Sequence, residues 1–538
     1  MPPSTPFGAV ARIGIALTAT VLAVTACASV DTTSAVEDSP ETTTGASGDI
    51  PDAAAQIMAA PEYRTARWLF HIVDPENGAV LLSQRPDEMV FTGSTAKEFT
   101  LGTVYDTIGP DTTLTTPVYA TQAPVNGAVS GDLVLVASGD LALGGRGATD
   151  GRVDETFTAD TIDHVYGDLA LNATTVPDDP LAGLDALARQ VTDAGITRVD
   201  GDVVIDTRIW DTYQGQEGPV PSVFVNDNIL DITVTADGDT VTAETRPRTQ
   251  AYAVESTVTV GDEASLTVDV DPANPRRLTV SGTITADSSQ LTIYRVPDAA
   301  EWARTLFTEA LDRAGVTVAA PAVGPNNEAG LPAPDSYPDN SRVASLESPP
   351  LKTFGSMILQ TSYNTGANAM LCLLAARAGS TNCEDGLSSI RSVIDKSDVD
   401  GADVILVDGQ GADPASTTPR QMTGWMMWAR QQPWGDDLIA GQPVLGESGT
   451  LASVGADSPA VGKVAAKTGT SAALDPVTGR LLYNVQSLAG YLFRDDGTPL
   501  VFALSMSGGT FEDFSAGLTQ AGDDVGMVAA AFAEKFAS

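Results

Sequence analysis

Three short segments carry side chains able to make and break an acyl bond. The first is Phe91-Thr-Gly-Ser94-Thr-Ala-Lys97-Glu98, which holds the single Ser-x-x-Lys of the chain. On a helix beginning near Ser94, residues three apart share a face, so the Lys97 amine comes within reach of the Ser94 hydroxyl. A lysine withdrawn from water can be neutral near pH 7 and accept a serine's proton. The helix N-terminus adds backbone N–H groups for a developing oxyanion. A capping serine beside a solvated lysine has the same sequence, so this segment alone leaves both readings open. The second segment, Ser362-Tyr363-Asn364, heads a helical run. Its hydroxyl could relay a proton between Lys97 and a leaving amine, and the Asn364 amide could hold a peptide carbonyl; helix capping is the alternative. The other Ser-x-Asn, Ser380-Thr381-Asn382, falls in a short loop and reads as a turn. The third segment is Lys467-Thr468-Gly469-Thr470, after the apolar Val464-Ala465-Ala466. It suits an edge strand whose glycine admits a substrate backbone, with Lys467 drawing a carboxylate and the threonine hydroxyls placing it. A strand end entering a polar turn would look the same.

Composition narrows the chemistry further. Lysine occurs only at 97, 352, 396, 463, 467 and 535, histidine only at 71 and 164, and cysteine only at 27, 372 and 383. So few ligands disfavour a histidine-rich metal centre and exclude a four-cysteine zinc site, and neither metal nor organic cofactor is expected. Acid–base work falls to Lys, Asp, Glu, Ser or Tyr. With 70 acidic against 29 basic side chains among 538 residues the net charge is −41. A nucleic-acid partner is not expected, because phosphate binding requires Lys and Arg to replace counterions. A hydrophobic content of 43% against 18% charged is globular.

The elements that must position the three segments follow from pattern. Residues 67–74 and 79–83 are apolar runs flanking Pro75-Glu76-Asn77-Gly78, and 487–493 and 500–507 flank Arg-Asp-Asp-Gly-Thr-Pro; each pair reads as a hairpin. Hairpins at opposite ends of a chain suggest one sheet closed by its N- and C-terminal segments. The middle, about 115–295, alternates Thr, Val, Asp and Gly in short runs (131–136, 201–206, 229–235, 256–260, 277–284) and reads as a β-rich insertion. Helical periodicity returns at 300–314, at 350–359 and from Thr365 onward. The Pro/Asn-rich stretch 321–341 leads back out of the insertion. No internal repeat is present.

At the N-terminus, Arg12 precedes an apolar run from Ile13 to Val24 that is short for a bilayer span and reads as a signal peptide. Its end, Val24-Thr25-Ala26-Cys27, resembles the lipobox of bacterial lipoproteins. That resemblance implies lipidation of Cys27 and attachment to the outer face of the bacterial cytoplasmic membrane; ordinary cleavage near Ala26-Cys27-Ala28 would leave a secreted protein. Ser, Thr, Asp, Glu and Gly then dominate to about Asp49, a composition suited to a disordered tether. In such a compartment Cys372 and Cys383 could be bridged across the loop between two helical runs, or could be two buried thiols.

In this order, Ser-x-x-Lys, Ser-x-Asn and Lys-Thr-Gly form the signature of serine penicillin-recognising enzymes. The chain resembles that superfamily and, within it, the low-molecular-mass class C penicillin-binding proteins, the D-alanyl-D-alanine carboxypeptidase/endopeptidases. The spacing carries the finer resemblance: 268 positions separate Ser94 from Ser362, where β-lactamases bring these motifs closer and class C enzymes hold two nested domains. Further segments follow the family's order: Leu133 to Asp140, Val199 to Asp206, Asn226-Asp227-Asn228, Leu346 to Leu351, Val407 to Gly411, Gly449-Thr-Leu and Leu488-Ala-Gly-Tyr. Tyr363 stands where the family usually has Asp, Asn368 where Glu is common, and Gln410 in place of Ser, and Ser471 to Gln486 is longer than in the shortest members.

The resemblance implies an α+β fold, a split transpeptidase/β-lactamase-like domain with an antiparallel sheet flanked by helices and two nested β-rich insertions. The expected division is a signal peptide at 1–27, a linker at 28–50, and a catalytic domain from 51–115 and 340–538. An inserted domain takes 116–200 and 296–339, with a second nested within it at 201–295. It further implies a serine D,D-peptidase in which Ser94, Lys97, Ser362 and Asn364 are catalytic and Lys467, Thr468, Gly469 and Thr470 bind substrate. The partners implied are peptidoglycan stem peptides, β-lactams and, through the lipid, the membrane. A β-lactamase or esterase on the same fold, and a catalytically silent cell-wall-binding lipoprotein, are the competing expectations.

Overall fold

A computed structural model describes residues 48–538 apart from 150, 151, 154, 155, 171, 335 and 398. The expected signal peptide, the lipidation site Cys27 and the linker as far as residue 47 lie outside the described residues.

The two expected hairpins meet in one antiparallel sheet, in the order Val80–Gln84, Arg67–Val73, Pro499–Ser507, Leu481–Phe493, Val464–Leu474. Strand side chains alternate between faces, and the sequence gives each face its own partner. Phe70, Ile72, Leu488, Phe502 and Leu504 pack with Val525, Val528 and Phe532 of the C-terminal helix Phe514–Lys535. The intervening Ala489, Tyr491, Val501 and Ala503 join a second core built by the helices Lys97–Thr107, Leu351–Thr361, Asn364–Arg377 and Pro419–Ala429. The Lys97–Thr107 helix is buried from Lys97 through Tyr105, the pattern of a helix enclosed on all sides. Its first residue is therefore a lysine without water around it.

The segment between Thr115–Ala120 and Arg342–Glu347 leaves and returns through two strands that pair antiparallel with each other. It has its own apolar core, including Leu133, Ile205, Leu230, Val280, Trp302 and Leu306. The expected strands are present, with one correction. The run 256–260 is two short strands, Ala253–Ser256 and Thr259–Val260, pairing in turn with Arg277–Ile284. A second correction concerns the helix Ala182–Asp193, unexpected in a stretch read as β-rich. Its buried Leu184, Leu187, Ala188 and Val191 have helical spacing, which the surrounding Thr/Asp-rich sequence obscured.

Cys372 and Cys383 form a disulfide over a separation of 11 residues, tying the helix that begins at Asn364 to the short turn Cys383–Asp385. Closing a loop of this size stabilises a fold by about 2–3 kcal/mol, chiefly by restricting the unfolded chain. Reduction, or the double Cys→Ser variant, is therefore expected to lower the urea midpoint by that equivalent. An unchanged midpoint would mean that packing alone holds the turn.

Candidate active site

The short strand Val90–Phe91 pairs with Ser416–Thr417, and the Thr92 N–H donates to the Ala415 carbonyl at 2.9 Å. These bonds hold a single 3-10 turn, Gly93–Ala96, that runs directly into the Lys97–Thr107 helix. Ser94 thus sits one turn ahead of the α-helix rather than at its start, and the Ser-x-x-Lys spacing still closes: Lys97 Nζ donates to Ser94 Oγ at 2.6 Å. Gly93 has φ +49°, and a Cβ there would lie 2.6 Å from the Thr470 nitrogen. Glycine is what lets the Ser94 turn touch the edge strand.

Asn364 opens its helix two residues after Ser362, a residue of left-handed conformation (φ +59°) that ends the preceding helix. The reversal turns two side chains toward two different lysines. Asn364 Oδ1 accepts from Lys97 Nζ at 2.6 Å, while Ser362 Oγ accepts from Lys467 Nζ at 2.9 Å. Lys97 also donates to the Gln410 carbonyl at 3.2 Å, and Lys467 to the carbonyl and hydroxyl oxygens of Thr468 at 2.9 and 3.3 Å. Lys467 and Gly469 face the Ser94 turn on the edge strand Val464–Leu474, and Thr450 meets the Thr468 hydroxyl at 2.9 Å. A cavity of about 430 Å³ opens between them, lined by Ser94, Ser362, Asn364, Thr468 and Thr470. Its far wall is apolar and comes from the inserted segment, through Phe157, Ile162, Tyr166 and Leu169. Tyr166 fixes that wall by donating to the Ser362 carbonyl at 3.0 Å.

Electrostatics follow from burial. Lys97 and Lys467 are both fully buried. Desolvation, opposed by the charges of Glu217 and Asp408, pushes the Lys97 ammonium down to about 7. Desolvation and then the charge of Lys97 hold Lys467 well below the ordinary lysine range. Behind Lys467, burial pushes the Glu98 carboxyl up to about 7, against the opposing effects of its 2.6 Å hydrogen bond from Gln442 and the charge of Lys467. Lys97 is thus poised to give and take a proton near neutrality.

Of the three residues that depart from the expected pattern, Asn368 and Gln410 interlock. Asn368 donates to Gln410 Oε1 at 3.0 Å and accepts from the Gly409 N–H at 2.9 Å. Tyr363 is buried beside Asp227, which belongs to an ionic network sealed from water: Arg146 binds Asp163 and Asp227, and His164 lies between Asp227 and Asp231 at 2.9 and 2.8 Å. Burial opposes the imidazolium, but the three carboxylates overcome it and lift His164 to about 10. Neither histidine lines the cleft, His71 being buried with its Nδ1 2.7 Å from the Thr423 hydroxyl. Sequence reasoning missed Glu217, whose carboxylate accepts from Asn364 Nδ2, and Gln216, which accepts from Gln410 Nε2 at 3.2 Å. Nothing in Gln-Gly-Gln-Glu-Gly signals more than a turn.

An α+β fold that brings a serine, a lysine lowered to about 7, a Ser-x-Asn and a Lys-Thr-Gly edge strand into one cleft defines a penicillin-binding enzyme of the serine type. The chain belongs to the D-Ala-D-Ala carboxypeptidase 3 (S13) family, whose sequence model matches residues 52–525. It is a hydrolase, a serine D,D-carboxypeptidase. A D-alanyl-D-alanine carboxypeptidase of an Actinomadura species is 26% identical over 441 residues, 76% of this chain and 74% of that one. Among solved structures, penicillin-binding protein 4 of Haemophilus influenzae shares the fold, with TM-score 0.62, 18% identity, and coverage of 88% of this chain and 98% of that one. The same protein complexed with a β-lactam matches with TM-score 0.63, 17% identity and coverage of 90% and 99%.

Proposed function

We propose that Ser94 attacks the carbonyl of the penultimate D-Ala of a peptidoglycan stem peptide, and that the same cleft cleaves D,D-cross-links. The observation that carries this reading is the pair of 2.6 Å contacts joining Lys97 Nζ to Ser94 Oγ and Asn364 Oδ1, with the Lys97 ammonium lowered to about 7. Neutral Lys97 takes the Ser94 proton as the Oγ–C bond forms. The N–H groups of Ser94 and Thr470 receive the oxyanion, an Asn364 N–H holds the substrate's peptide carbonyl, and Lys467 with Thr468 and Thr470 receives the terminal carboxylate. The C–N bond then breaks and the departing amine takes a proton through Ser362, whose hydroxyl is held by Lys467. Water hydrolyses the ester and restores Ser94. A β-lactam would enter by the same acylation, with its ring nitrogen as the tethered leaving group. Cys27 would carry a lipid anchor to the outer face of the cytoplasmic membrane, where its hold must exceed the repulsion between anionic lipid and a chain of charge −41.

Given an acylated peptide ending in D-Ala-D-Ala, the protein is expected to release one D-Ala per turnover and, with a fluorescent penicillin, to carry a long-lived covalent label. Rapid turnover of the penicillin would identify a β-lactamase or esterase instead. Neither label nor release would leave a binding scaffold. Monomer release from D,D-cross-linked dimers tests the endopeptidase half.

A further inference from the structure

One acidic side chain from the inserted segment reaches the reacting groups. The strands Tyr213–Gly215 and Gly218–Val220 pair in register, Gly215 opposite Gly218, and leave Gln216 and Glu217 as a two-residue turn. That turn is seated on the two residues that flank Lys97. Glu217 accepts from Asn364 Nδ2, Gln216 from Gln410 Nε2, and Gly215 approaches so closely that a Cβ would stand 3.2 Å from Asn368 Nδ2. Asn364 is therefore clamped at both ends of its amide, with oxygen on Lys97 and nitrogen on Glu217.

The two ends of an asparagine amide are nearly the same shape, and only their partners decide which way it points. Rotated by half a turn, Asn364 would set N–H donors against the Lys97 amine and an oxygen toward the substrate. Held as it is, it supports Lys97 and retains a second N–H. We propose that Glu217 is a positioning residue for the reaction, fixing the Asn364 amide so that its oxygen meets Lys97 and its remaining N–H meets the substrate's peptide carbonyl. The inference rests on the reading of Ser94 and Lys97 given above.

Three charged groups face Lys97 from the elements around it: Glu217 on this hairpin, Asp408 on the loop ahead of Ser416, and Lys467 on the edge strand. Asp408 is committed to its own loop, accepting from the N–H groups of Gln410, Gly411 and Ala412. Lys467 is held by Ser362 and Thr468. Glu217 is thus the charge that can be removed without dismantling either.

The test compares Glu217→Gln, which keeps an acceptor oxygen but not the charge, with Glu217→Ala, which keeps neither. D-Ala release is followed across the range in which Lys97 titrates. For Glu217→Ala, kcat/KM is expected to fall about 10-fold or more. For Glu217→Gln, kcat/KM on the plateau is expected to stay near wild type while the acid limb moves to lower pH, because a carboxylate near Lys97 favours its protonated form. The proposal is overturned if both variants keep the wild-type kcat/KM and pH profile, or if both lose activity and melting temperature together with the limb unmoved. Should Glu217→Ala fail to fold, the limb of Glu217→Gln decides. A wild type that takes no penicillin label on Ser94 would instead overturn the underlying reading of the site.

Discussion

Ser94→Ala is expected to lower D-Ala release by about 10⁴-fold or more and to abolish covalent labelling by penicillin, while leaving the melting temperature close to wild type. The size follows from the covalent route: without the nucleophile no acyl-enzyme forms, and the loss approaches that of removing the whole constellation. The hydroxyl groups of Thr95 and Ser362 are engaged elsewhere. Thr95 is buried with its hydroxyl donated to the Thr92 carbonyl, and Ser362 is held on Lys467. Stability should change little, because Ser94 is half-buried on a one-turn 3-10 segment and Lys97 keeps its contacts with Asn364 and Gln410. Fluorescence of the labelled band, peptide mass mapping and a thermal melt are sufficient measurements. A label of undiminished intensity on this variant would sink the assignment.

Lys97→Met is expected to slow acylation by about 10²–10⁴-fold, the usual contribution of a positioned general base. Methionine retains most of the buried volume and removes the amine. The pH dependence makes the test specific. The wild-type rate should fall as pH drops below about 7, since the ammonium then predominates and cannot take the serine's proton. Above that pH the rate should level off. In Lys97→Met the limb near pH 7 should be absent. Stability supplies a second reading of the same group. A lysine lowered in the folded state is neutral there while the unfolded chain still binds its proton, so stability rises with pH from about 7 toward the ordinary lysine range. That rise should weaken in the variant. A variant that keeps both the limb and the rate would assign the proton transfer to another group, with Lys467 next in line.

The parts of the site that could be read from sequence are those whose geometry is local. Ser94 and Lys97 lie three residues apart, and one helical turn, 3-10 or α, suffices to bring them together. The hairpin strands were legible because their two faces meet different neighbours, which writes an alternating pattern into residues such as Leu488, Ala489, Tyr491 and Leu492. The helix Ala182–Asp193 was not, since a polar setting masked its apolar stripe. The alternatives left open for Cys372 and Cys383 differ only in where two backbones lie, and the structure brings them to a bridge.

By itself the sequence determined the chemistry on offer: a serine with a lysine one turn away, a Ser-Tyr-Asn, a Lys-Thr-Gly strand, and too few histidines for the commoner base. It could not determine which hydroxyl meets which amine. The left-handed turn at Ser362 decided that, giving Asn364 to Lys97 and Ser362 to Lys467. Nor could it place Glu217, 147 residues from the asparagine it binds. Tertiary structure alone decided the protonation of the lysines, because desolvation depends on everything packed around a group and not on its neighbours in the chain.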